Sequence, residues 1–149
     1  DGARVGDLAR QLNGVTFAAD AIVLVTIGGN DLLGGLLAGG DSQFEAFEAA
    51  LSEFASRLPS GSTYFGNVYD PTFGDDSRNV FGIAPRRARD SHARIDATIA
   101  RVASGIGATC VDIHGHFLTG DPSWMVNMIE PSLRGASEVR RVFLDAILR

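Results

Sequence analysis

The run Ala21–Ile27, "AIVLVTI", is apolar on both faces and rich in β-branched residues. Such a segment fits an interior strand of a parallel sheet, where both faces are covered and both edges are paired. It runs directly into Gly28-Gly29-Asn30-Asp31. Glycines let another backbone or a ligand come close, and the Asn amide brings two donors and an acceptor to the end of a buried strand.

The flanking segments read as helices. Val5, Leu8 and Leu12 stand at helical spacing, which predicts a short amphipathic helix over about residues 4 to 13, ended by Asn13-Gly14. Phe44, Phe47, Leu51, Phe54 and Leu58 repeat at 3-4-3-4 and predict a second helix with one broad apolar face. "SQFE", Ser42 to Glu45, reads as a capping box at its start, and Pro59-Ser60-Gly61 stops it. A second strand is expected at about Thr63 to Tyr69, followed by the loop "DPTFGDDSRNVFGIAP". Helical spacing returns from Arg86 through His92, Ile95, Ile99, Val102 and Ile106. A third strand, Thr109 to Ile113, leads into "HGHFLTGDPSWMVNMIEPS", and a last helix carries Val139, Phe143 and Ala146. Strands alternating with helices predict an α/β domain with a parallel sheet, one domain over residues 1–149 without repeats or linkers. The apolar first strand then needs a partner along its edge, either another piece of chain or a second copy of this one.

Composition narrows the function classes. The net charge of −5 argues against non-specific nucleic-acid binding, which depends on neutralising phosphates. All 13 basic residues are arginine, so neither a Schiff-base lysine nor a phosphate-loop lysine is available. No apolar stretch approaches the roughly 18 residues of a spanning helix. Cys110 is the single cysteine, so no internal disulfide can form and compartment stays undetermined.

In open α/β sheets, ligands bind beyond the carboxyl ends of the strands. The first strand delivers Gly28, Gly29, Asn30 and Asp31 to that edge, the second Asp70, and the third Asp112 to His116. Asn30 and Asp31 either cap the following turn or, with Asn30 donating, stabilise an oxyanion. His114 and His116, two apart on a segment expected to be extended, face opposite ways, so at most one enters the crevice. Asp112, His114 and His116 alternate, but with no distant third ligand no metal is assigned. His92 lies on a helical stripe and reads as structural, and Arg86, Arg87 and Arg89 as a solvated helix start. Gly40-Asp41-Ser42 begins a helix, which makes Ser42 a cap before it is a nucleophile.

The ordered blocks resemble the SGNH (GDSL) hydrolase family. "TIGGND" is similar to its Gly-x-Asn-Asp block, "DGARVGDLARQL" to the preceding block in which a glycine opens a helix, and "NVYDPT" to the strand between. "MIEPSLRGASEVRRVFLDAIL" is similar to its closing Asp-x-x-His-Pro block and terminal helix. The resemblance implies a three-layer α/β/α sandwich of flavodoxin-like type. It also implies hydrolysis of small acyl esters by a serine nucleophile, with no cofactor. Gly2 and Asn30 match two of the family's oxyanion donors. The block carrying the nucleophile has no counterpart upstream of Gly2, so an N-terminally truncated domain missing its first strands is expected. Self-association or a complementary N-terminal segment is then expected along the Ala21–Ile27 edge. Asn127 and Glu130 stand where the family has its Asp and His. Glu130, His116 or His114 would then have to serve as base, with His116 preferred of the two histidines. Gly28, Gly29, Asp31, Asp70 and Asn127 are the further crevice candidates. The competing reading is a catalytically inactive binding or assembly module on the same fold.

Overall fold

The computed structural model describes residues 2–37, 39–79 and 82–149; Asp1 and part of the loop before Pro85 lie outside them. A 3₁₀ turn (Val5–Asp7) continues into α1 (Leu8–Gln11), and β1 (Val23–Thr26) follows. The chain then forms α2 (Gly29–Asp31), a wide turn (Leu32–Leu36), α3 (Asp41–Ala55), β2 (Thr63–Gly66) and α4 (Pro85–Gly105). After β3 (Thr109–Val111) come α5 (Ile113–Phe117) and a 3₁₀ turn (Pro122–Trp124). A short antiparallel hairpin, β4 (Met125–Val126) and β5 (Glu130–Pro131), precedes α6 (Leu133–Ile147).

The three main strands pair in parallel in the order β1-β2-β3, with Val25 opposite Phe65 and Phe65 opposite Cys110. Two successive crossovers in one direction put α3 and α4 on the same face, as a constant crossover hand requires. There Phe47, Leu51, Phe54, Ile95 and Ile99 pack against Val25, Ile27 and Phe65. Leu51, Phe65, Ile95 and Ile99 are fully buried, each contributing about 1.5–3 kcal/mol of transfer free energy. The opposite face is covered by α5, the Pro122–Trp124 turn and α6 through Ile113, Phe117, Trp124 and Phe143, with Tyr64 at the margin.

That second layer stops short of β1. Val25 is buried, but Leu24, pointing the other way, is 51 % exposed, and Ile22 just before the strand is 55 % exposed. Among the described residues β1 pairs only with β2, so one edge and one face of the most apolar strand are open. The chain thus has helices on both sides of a parallel sheet, with an apolar trough along β1.

Two local expectations need correction. The cap of α3 lies two residues upstream of the "SQFE" box: Gln43 accepts a hydrogen bond from the Gly40 amide, so the helix starts at Asp41. The third strand ends at Val111, and His114 and His116 sit in α5 instead of an extended segment. Asp112 sets that start, its carboxylate accepting from the Gly115 amide at 2.9 Å. The β4–β5 hairpin was not expected, because its strands are too short for a periodic signal.

Candidate active site

Why glycine must follow β1 is visible in the packing. Gly28 has φ +110°, and a Cβ there would lie 2.8 Å from Ile95 Cδ1 and 3.1 Å from Val68 Cγ2. The left-handed turn and the close approach of α4 both exclude a side chain. Gly28→Ala is expected to destabilise the chain by about 2–3 kcal/mol, read as a lower urea midpoint at unchanged slope.

The turn made possible by Gly28 presents Asn30 and Asp31 in opposite roles. Both Asp31 oxygens accept from the Val5 amide, at 3.2 and 3.1 Å, which ties the start of the chain to the end of β1. Burial pushes the Asp31 carboxyl above its ordinary range, although the Val5 hydrogen bond opposes this. The Asn30 amide nitrogen donates to the Ala3 carbonyl at 3.1 Å. An Asn amide has two hydrogens, and among the described residues the second has no partner in the protein.

Gly2, Ala3 and Asn30 stand on the wall of a cavity of about 820 Å³, large enough for a small organic ligand. Its floor is the open side of β1, with Leu24 and Thr26. Leu8 and Leu12 wall one flank and Ala136 and Val139 another. Gly28 and Gly29 after β1, Asp70 after β2 and Glu130 of β5 also line it. Asp70 organises its own loop, accepting from the Thr72 amide (2.8 Å), the Thr72 hydroxyl (2.7 Å) and the Gly74 amide (3.0 Å). Glu130 pairs with Val126 next to the turn of the β4–β5 hairpin, near Tyr69, whose hydroxyl donates to the Ile129 carbonyl at 2.7 Å. Burial, reinforced by the Glu130 charge, pushes the Tyr69 phenol up to about 12.

Other candidates lie elsewhere. Asn127, in left-handed backbone (φ +50°), forms the hairpin tip and does not line the cavity. Ser42 is exposed in the first turn of α3, and no serine among the described residues lines the cavity. His116 turns to the α6 side, its Nε2 at 2.8 Å from Glu138 and 3.2 Å from Arg141, against the rings of Phe117 and Trp124. That histidine first, and Arg141 next, hold the Glu138 carboxyl below its usual range. His114 turns the other way, donating from Nδ1 to Asp96 at 2.5 Å. The Asp96 bond, against burial, raises the His114 imidazole above its ordinary value.

Sequence reasoning missed Asn67 and Asp96. Asn67 follows β2, lines the cavity, donates to Asp112 at 2.9 Å and accepts the His114 amide at 2.7 Å. Burial acts to raise the Asp112 carboxyl, but the Gly115 and Asn67 hydrogen bonds prevail and hold it low. Asp96 stands one helical turn after His92, the only signal it offered.

The sequence matches no protein-family profile and no curated protein. Solved structures do match. A mutant of an acetyl-xylooligosaccharide esterase from Geobacillus stearothermophilus superposes with TM-score 0.71 at 18% identity, over 97% of this chain and 68% of that one. An extracellular lipase from Streptomyces rimosus gives TM-score 0.61 at 19% identity, over 98% and 77% of the two chains. A phospholipase A1 from Streptomyces albidoflavus gives 0.60 at 16%, over 97% and 77%. At such identities the likeness is one of fold: the parallel sheet with helices on both sides is shared with these esterase and lipase structures.

Proposed function

We propose that this chain is the oxyanion-binding core of a serine ester hydrolase acting on small acyl esters. The observation that carries the reading is the placement of Asn30. Its amide stands beside Gly2 and Ala3 where β1 ends, on the wall of a largely apolar cavity that also holds Glu130. An acyl chain fits the trough along Leu24, with the ester carbonyl at the strand ends near the Asn30 donor. The structural neighbours are themselves named as an esterase, a lipase and a phospholipase.

The nucleophilic serine, in this reading, arrives on chain that adds to the free edge of β1. Its hydroxyl oxygen bonds to the carbonyl carbon, its proton passes to a base, and the carbonyl π electrons move onto oxygen, where Asn30 donates. Collapse expels the alcohol, which takes the proton back, and water then releases the acid by the same steps. Of the three base candidates Glu130, His114 and His116, Glu130 is the one that lines the cavity.

The intact product of the reading frame is expected to hydrolyse p-nitrophenyl acetate and to be labelled by a fluorophosphonate at a serine other than Ser42. Mass spectrometry of the labelled peptide locates that serine. Labelling at Ser42 would move the nucleophile to the start of α3 and refute the edge-addition reading. Silence on a panel of short-chain esters would favour the binding-module alternative, whose support is the replacement of the family's Asp and His by Asn127 and Glu130.

A further inference from the structure

On the other side of the Asn67–Val68 segment, two histidines and a carboxylate converge from two helices. His92 and Asp96 are one turn apart on α4, and His114 comes from α5. The imidazole rings stack with centroids 4.3 Å apart. Asp96 Oδ2 lies 2.5 Å from His114 Nδ1 and 3.8 Å from His92 Nε2, and donor atoms of all three residues fall within 4.8 Å of one another. Both ion pairs of Asp96 among the described residues are with histidine. The side chains of His92 and Asp96 are only 12% and 14% exposed.

We propose that His92, Asp96 and His114 form a binding site for a divalent transition-metal cation of the zinc class. Two imidazoles and a carboxylate are the donor set such ions take, at about 2.0–2.2 Å, which separates tetrahedral ligand atoms by about 3.3 Å. The two spacings from Asp96, 2.5 and 3.8 Å, bracket that value. Supporting contacts hold each ligand. The Val68 amide donates to Asp96 Oδ1 at 2.9 Å, and the Asn67 side chain accepts the His114 amide. His92 Nε2 donates to the Val68 carbonyl at 2.6 Å, a bond that gives way to the ion when the imidazole hydrogen moves to Nδ1. A bound ion ties the end of β2 to α4 and α5, and because His92 and Asn67 line the cavity it stiffens one cavity wall. The site does not depend on the hydrolase reading.

Calorimetric titration of Zn²⁺ into the 149-residue chain is expected to show one site per chain. Loss of a supporting contact alone weakens metal sites 10- to 100-fold, so Asp96→Asn and His114→Gln are each expected to weaken binding by about 100-fold. His116→Gln, which removes the remaining histidine, should leave it unchanged. Circular dichroism checks that each variant folds. In the unaltered chain, Co²⁺ should broaden the imidazole proton resonances of His92 and His114 together and spare His116, a readout free of any folding defect. Absence of saturable binding at millimolar Zn²⁺, or equal broadening of all three histidines, would overturn the proposal.

Discussion

Replacing Asn30 by alanine is expected to lower kcat for ester hydrolysis by the intact product about 10²- to 10³-fold, leaving KM within a few-fold. In the proposed reaction the amide meets charge that exists only once the carbonyl has been attacked, so its loss would fall on the transition state and spare substrate binding. Its side chain is exposed and makes a single protein hydrogen bond, to the Ala3 carbonyl. The stability cost is therefore small, about 1 kcal/mol or less, and a thermal melt separates it from the catalytic effect. Stopped-flow and steady-state kinetics on p-nitrophenyl acetate read both constants. An unchanged kcat in a folded Asn30→Ala protein would remove this residue from the chemistry and leave it as a turn cap.

The largest expected loss of stability follows Gly135→Ala, and there helix propensity and packing predict opposite signs. Alanine is favoured over glycine within a helix by about 1 kcal/mol, so propensity alone predicts stabilisation. Gly135 lies in the first turn of α6, where a Cβ would stand 2.0 Å from the Trp124 carbonyl oxygen and 3.3 Å from Pro131 Cβ. The obstacle is backbone, held in turn by the Ser132 amide donating to that same carbonyl at 2.8 Å. Neither side can yield by changing a rotamer, so α6 must retreat and loosen the packing of its own Phe143 in the cluster with Ile113, Phe117 and Trp124. A loss of about 3 kcal/mol or more is expected, a fall in Tm of roughly 6–12 °C for a chain of this size. Gly105→Ala, at the far end of α4 with nothing within 4 Å of its Cβ, is the matched control and should be neutral or slightly stabilising. If both glycines respond alike, the close contact under α6 does not exist.

Much of the fold could be read from periodicity. The stripes Phe44–Leu51–Phe54 and Ile95–Ile99–Val102 bury the helix faces they imply, because spacing along a helix is local and side-chain direction follows from it. Local reasoning was less secure where an end is set by a neighbour. The first turn of α3 is displaced from the sequence expectation because Gln43 reaches back to Gly40, and α5 replaces the extended segment expected after the third strand because its capping contact, Asp112 to Gly115, is a three-residue event. His114 and His116 do face opposite ways, but through the about 200° that separates positions two apart on a helix and not through the pleat of a strand.

What the sequence determined by itself is the α/β alternation, the helix faces and the delivery of Gly28 to Asn30 at a strand end, since each depends on residues only a few positions apart. Which side of β1 stays open, and that His92 meets His114 across more than twenty residues, was decided only in three dimensions. Those features arise from where the crossovers set α4 and where α6 ends its cover, and packing between distant segments leaves no period in the chain.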